Sequence, residues 1–171
     1  VSIMAANNEV GIIMPVADIG ATCHERGVLF HTDAVQACGR LEMNVQAMNI
    51  DLLSLSGHKL YGPKGVGALY VRRKKPRVSL VAQIHGGGHE RGLRSGTLNV
   101  PGIVGLGEAC RLGTLDGVAD GEKLTLLTQS LAAGLQETLP DFDLNGPAQR
   151  RLPGNWNISI PGIGAERLML G

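Results

Sequence analysis

Short apolar runs alternating with one amphipathic segment constrain this chain most. Val1–Ala6 reads as a buried strand, followed by the polar turn Asn7-Asn8-Glu9 and a second apolar stretch, Gly11–Met14. Pro15 then suits the first turn of a helix whose inward face carries Val16, Ile19 and Cys23 and which ends near Gly27. Val28–His31 is the next strand, with Thr32-Asp33 at its carboxyl end. A strand, a helix and a strand in that order build parallel sheets, so an α/β fold with a mostly parallel sheet flanked by helices is expected. Ligands of such sheets sit beyond the carboxyl ends of the strands, where Asn8 and Asp33 fall. Only 3% of residues are aromatic against 43% hydrophobic, so Leu, Val, Ile and Ala must build the core.

The stretch SLSGHKLYGPKGVG, 54–67, stands between two further strands, Asp51–Ser56 and Gly67–Arg72. His58 and Lys59 occupy the tip of its loop, bounded by Gly57 and Tyr61-Gly62-Pro63. A lysine in a tight turn beside an apolar sheet loses water and rotamer freedom. That favours the neutral amine and makes it a candidate Schiff-base nucleophile. A solvated loop lysine is the ordinary alternative.

Val35–Gly39 and Val45–Met48 read as short helical turns, and the cluster Arg72-Arg73-Lys74-Lys75 before Pro76 as a solvated turn. His85–Thr97, HGGGHERGLRSGT, is a second glycine-rich loop. His85 and His89 have the i, i+4 spacing of a helical metal pair, but the glycines between them oppose a helix and hence a metal site. The glycines with two arginines and Ser95-Gly96-Thr97 suit a backbone that approaches an anion; a flexible surface loop is the alternative. Pro101–Leu112 reads as a helix, Gly113–Gly121 as a linker, and Leu124, Leu127, Leu131 and Leu135 as the core stripe of a following helix. Asp141–Leu144 and Asn155–Ile160 read as strands. The expected organisation is a partial large domain at 1–114 and the start of a small α+β domain at 115–171.

A net charge of +1 and the lack of a basic run interleaved with aromatics argue against nucleic acid. Three scattered cysteines, Cys23, Cys38 and Cys110, with no CxxC pair, point to a reducing compartment and away from a structural zinc site. No apolar run reaches the roughly 18 residues of a membrane span. The expectation is a soluble intracellular protein, cytoplasmic, or of the mitochondrial matrix in a eukaryote. Val1 lies inside an apolar run with no initiator methionine, and the chain stops as AERLML begins to read as a helix. Both suggest the central portion of a longer protein.

The segments NNEVG at 7–11, HTDAVQ at 31–36, SGHKLYGPKGVGALYVRR at 56–73 and GGGHERGLRSGT at 86–97 resemble the pyridoxal-phosphate enzymes of the class V aminotransferase group. The match is nearest to cysteine desulfurases of the NifS and IscS type. It runs in family order through the chain and weakens after Leu112. By this resemblance Lys59 bonds the cofactor as an imine and then moves protons as general acid and base. Asp33 keeps the pyridine nitrogen protonated so that the ring acts as an electron sink. Gln36 donates to the phenolic oxygen, Ser56 and His58 bind the phosphate, and Asn8 lies near the ring and the substrate carboxylate. Thr97 reaches the phosphate of the neighbouring subunit's cofactor, implying a homodimer with shared sites. Asp33 as a mere turn cap and Asn8 as a mere Asx turn are the alternatives.

The resemblance implies that L-cysteine becomes L-alanine while its sulfur passes to an enzyme cysteine as a persulfide. That sulfur would supply iron–sulfur cluster assembly or thiolation through acceptor or scaffold proteins. The family's nucleophilic cysteine, ring-stacking histidine and substrate-carboxylate arginine match nothing within residues 1–171, and none of the three cysteines takes the nucleophile's place. Selenocysteine lyase or another class V enzyme, and a catalytically silent remnant with an unpaired sheet edge, are the competing readings.

Overall fold

The alternation in LLSLS, residues 52–56, decides which face of the sheet is covered. Leu53 is 4% exposed and Leu55 packs on the core, whereas Ser54 and Ser56 point to the other face. The computed structural model describes residues 1–139 and 141–170. Its main sheet has four strands in the order β1 (Ser2–Met4), β2 (His31–Asp33), β3 (Leu52–Ser56) and β4 (Gly67–Val71). β1, β2 and β3 run parallel and β4 returns antiparallel along β3. The register aligns Ile3, Thr32, Leu53 and Tyr70 on one face, and Met4, Asp33, Ser54 and Leu69 on the other.

Helix α1 (Val16–Glu25) covers the first face. Its Val16 and Cys23 join Ala5, Phe30, Ala34, Ala37, Ile50 and Leu53 in the core, and Ile19 packs at the margin, as the helical spacing predicts. Phe30 and Ile50 are fully buried, each contributing about 1.5–3 kcal/mol. Gly20 has no room for a Cβ, because the carbonyl of Met48 lies against the helix there.

The strand expected at Val28–His31 is displaced to His31–Asp33, and Val28 and Leu29 are half exposed. The reason lies in the pairing: the Phe30 carbonyl accepts from Asp51 and Leu52, so β3 meets β2 only from that point onward. Arg72 is not part of a solvated turn. Its Nε meets Asp51 Oδ1 at 3.0 Å, both side chains under 10% exposed. Its guanidinium also donates to the carbonyls of Val45 and Ile50 at 2.8 Å each and to Gln46 Oε1 at 3.0 Å. Asp51 Oδ2 in turn accepts from the Phe30 amide at 2.9 Å. Arg73, Lys74 and Lys75 are exposed, as expected of the rest of that cluster.

The expected linker at 113–121 is helix. Helix α2 runs unbroken through Val100–Thr138, 39 residues, capped by Asn99, whose Oδ1 accepts from the Gly102 amide at 3.2 Å. Gly105, Ala109, Gly113, Gly117 and Gly121 recur every fourth position and form one face. A Cβ on Gly105 would lie 2.6 Å from Pro63, one on Gly113 3.2 Å from Gly39 Cα, and one on Gly117 would strike the Gly39 carbonyl. Each glycine costs about 1 kcal/mol of helix propensity, which close backbone approach offsets. The leucine stripe is also corrected: Leu124 rests on Gly154, but Leu127 and Leu131 are 58% and 56% exposed, so no described residue buries them. Beyond α2 the expected strands shrink to β5 (Asp143–Leu144) and β6 (Ile158–Ser159), paired antiparallel, with Phe142 and Trp156 edge to face, and α3 (Ala165–Leu170) follows.

Removing one partner of a buried ion pair leaves the other uncompensated. Arg72→Leu is therefore expected to cost about 3–5 kcal/mol in urea unfolding, with Asp51→Leu/Arg72→Leu recovering only part of it, because the Phe30 amide and the Ile50 carbonyl stay unpaired. A loss below about 1 kcal/mol for the single variant would contradict the clamp.

Candidate active site

Two neighbouring parallel strands end side by side and present most of the candidate residues. Asp33 closes β2 in register with Ser54, and the Ala34 amide donates to the Ser54 carbonyl at 2.9 Å. Two residues on, β3 ends at Ser56 and the chain turns through one 3₁₀ turn, Gly57–Lys59. Gly57 is buried and Gly62 donates back to its carbonyl at 2.9 Å, so the turn closes tightly behind the lysine. A Cβ on Gly57 would lie 2.9 Å from the Pro63 carbonyl, which explains the glycine before His58. His58 and Lys59 are exposed.

The donors and acceptors are complementary. Asp33 is exposed, and its Oδ1 caps the following turn by accepting from Val35 N at 2.9 Å. Its other oxygen has no hydrogen-bond donor among the described residues, so the capping role and a ligand role coexist on one carboxylate. Ser56 Oγ and His58 Nδ1 lie 2.8 Å apart. Whichever donates, the pair keeps one free N–H or O–H for an anion. Gln36, in the turn after Asp33, approaches Arg40 through Oε1 at 3.5 Å and keeps its amide donors. A carboxylate, an amide, a hydroxyl–imidazole pair and an amine at the carboxyl ends of β2 and β3 are donor and acceptor types that suit a molecule with a basic ring nitrogen, an aldehyde and a phosphate.

Asn8 and Thr97, the remaining candidates, make no hydrogen bond to these residues among the described residues. Asn8 is exposed in the turn after β1, but the Asx turn is made by Asn7, whose Oδ1 accepts from Glu9 N and Val10 N at 2.9 Å each. Thr97 is exposed two residues before the Asn99 cap, and among the described residues no hydrogen bond joins it to the others. The loop before it is held by Gly88 N donating to Ser95 Oγ at 3.2 Å and Gly96 N to His89 Nδ1 at 3.3 Å. His89 thus closes the loop, and the described residues contain no cluster suited to a metal.

A concavity of about 880 Å³ opens on the far side of the lysine turn. It is bounded by Lys59–Pro63 on one side and the small-residue face of α2 on the other, and of the candidate residues only Lys59 borders it. One polar row was not anticipated: Ser2 Oγ, His31 Nδ1 and Nε2, and Ser54 Oγ form a chain at 2.7 and 3.2 Å across three strands on the Asp33 face. The period-two alternation of Ser54 and Ser56 with Leu53 and Leu55 already carries that signal.

The model of the family described as aminotransferase class-V matches residues 1–170. Cysteine desulfurase IscS of Anaeromyxobacter dehalogenans is 55% identical over 170 residues, 99% of this chain and 42% of that protein. The protein of the same name from Methylococcus capsulatus is 50% identical over 169 residues, 99% and 41% of the two chains. A NifS-like protein of Rickettsia africae superposes with a TM-score of 0.92 at 34% identity, over 99% of this chain and 46% of that one. The chain thus spans about two-fifths of the length of the curated relatives it matches.

Cys38, in the turn that carries Gln36, is pushed up from 9.0 to about 11, by burial first and then by Cys110 and Asp33. A thiol so held is protonated at neutral pH and a poor nucleophile. Its folded-state value is the raised one, so its contribution to stability is full below pH 9.0 and falls as pH climbs towards about 11. Alkylation of the native protein is expected to label Cys38 only as pH approaches about 11; rapid labelling near neutrality would contradict this environment.

Proposed function

Since the chain belongs to the aminotransferase class-V family, we propose that it is the cofactor-anchoring part of a pyridoxal-phosphate-dependent cysteine desulfurase. The observation that carries the reading is the delivery of Asp33 and the Ser56–Lys59 turn at the carboxyl ends of adjacent parallel strands. The names of the relatives 50–55% identical to it support the same reaction.

In this reading the cofactor, when bound, supplies a protonated ring that draws electrons from the substrate's α-carbon. Asp33 holds the proton on the ring nitrogen through its free carboxylate oxygen. Lys59 Nζ is the covalent anchor and, once released, takes the α-proton. Gln36 donates to the phenolic oxygen. Ser56, His58 and the amides of their turn hold the phosphate. Asn8 faces the substrate carboxylate, and Thr97 reaches the phosphate bound by a second copy of the chain in a homodimer. Residues 1–114 are most of a large domain and 115–171 begin a small one, with α2 as the stiff link. L-Cysteine leaves as L-alanine. The sulfur passes to a thiol other than Cys23, Cys38 and Cys110, and then to acceptor or scaffold proteins of iron–sulfur cluster assembly in the cytoplasm.

Borohydride treatment of the full-length protein with pyridoxal phosphate is expected to leave the cofactor's mass on the Lys59 peptide alone. Lys59→Ala is expected to abolish that adduct and to lower alanine release from cysteine by at least about 10²–10⁴-fold. Labelling of another lysine, or turnover surviving the substitution, would overturn the assignment.

A further inference from the structure

The turn that presents Asn8 is shaped from outside by side chains 141 to 148 residues further along the chain. Arg151 Nη1 donates to the Val10 carbonyl at 2.6 Å. Asn157 Nδ2 donates to the Glu9 carbonyl at 3.2 Å, and Asn155 Nδ2 to the carbonyls of Glu9 and Asn8 at 3.3 and 3.5 Å. The main chain continues the contact: the Leu152 amide donates to the Gly11 carbonyl at 2.8 Å and the Ile13 amide to the Arg150 carbonyl at 2.7 Å. Four successive carbonyls, 8 to 11, therefore face the 150–157 segment.

The opposite edge of the turn is fixed from within, where Asn7 Oδ1 takes the amides of Glu9 and Val10. Gly11, at φ +71°, has no room for a Cβ because the Asn155 side chain lies there. The grip is itself braced: Arg151 Nη2 donates to the Asn145 carbonyl at 2.6 Å, and Asn145 Nδ2 to Asn157 Oδ1 at 2.7 Å. With amides and carbonyls both committed, the two peptide planes that follow Asn8, up to Val10, cannot turn without breaking several hydrogen bonds. The Asn8 side chain stays exposed and has no hydrogen bond to any described residue.

We propose that Asn155 and Asn157, backed by Arg151, are positioning residues that set the direction in which Asn8 meets the substrate carboxylate. The inference rests on the desulfurase reading for the substrate. It makes the segment that follows the long helix a determinant of substrate affinity although it carries no reacting group.

The test uses the full-length protein loaded with pyridoxal phosphate and the variant Asn155→Ala/Asn157→Ala. KM for L-cysteine is expected to rise about tenfold with kcat within about twofold, because only a binding orientation is lost. Hydrogen exchange at the Glu9 and Val10 amides is expected to quicken in the same variant. In an Asn8→Ala background the double substitution is expected to raise KM no further, since both changes act through one side chain. Asn155→Ala alone, which removes only the longest of these bonds, repeats the test if the double variant does not fold. Unchanged exchange, an unchanged KM despite quickened exchange, or effects that multiply with Asn8→Ala would each overturn the proposal. Absence of cysteine turnover by the unsubstituted protein would sink the desulfurase reading instead, and the exchange measurement would still judge the grip.

Discussion

A guanidinium buried against a carboxylate holds the amino ends of the sheet together. Arg72 leaves β4, Asp51 enters β3, and Phe30, whose amide Asp51 accepts, enters β2. Parallel strands have no hairpin to fix their register, so something else must bring their starts to one level. The pair does this while its guanidinium also supplies donors to the buried Ile50 carbonyl and a second donor to that of Val45, which already accepts from the Ile50 amide. With the amino ends tied, Asp33 and the Lys59 turn emerge from adjacent carboxyl ends.

Helix α2 supplies the second constraint. Its glycine face lies on Pro63, behind the lysine turn, and on Gly39, at the end of the turn carrying Gln36, while Leu60 fills the space beside Gly39. One rigid element thus braces both turns that bear the candidate cofactor ligands. A side chain at Gly113 or Gly117 would part the helix from the Gly39 turn and disturb both at once.

Much of this was legible in the sequence because local chemistry and tertiary need agreed. The helix from Val16, the strands around residue 53 and residue 69, and the tight turn at Lys59 follow from apolar period and glycine placement. Arg72 was misread because four consecutive cations signal solvent, and only the fold brings Asp51 opposite the first of them. The 113–121 stretch was misread because its small and acidic residues have the composition of a linker. The four-residue spacing of its glycines, visible in the sequence, marks a surface for close contact instead. The leucines at 127 and 131 have core spacing but no cover within the described residues. Asn8 was picked out by its motif, yet the residues that hold its turn lie at 151–157, a pairing no local pattern reveals.

The central claim is that Asp33 and Lys59 serve one bound cofactor from adjoining strand ends. Nitrogen NMR of the full-length protein loaded with pyridoxal phosphate labelled at its ring nitrogen tests it most directly. An ionised carboxylate beside that nitrogen is expected to keep it protonated at about pH 8, and Asp33→Asn to release the proton. A ring nitrogen that is neutral in the unsubstituted protein, or a protonated one indifferent to Asp33→Asn, would contradict the account.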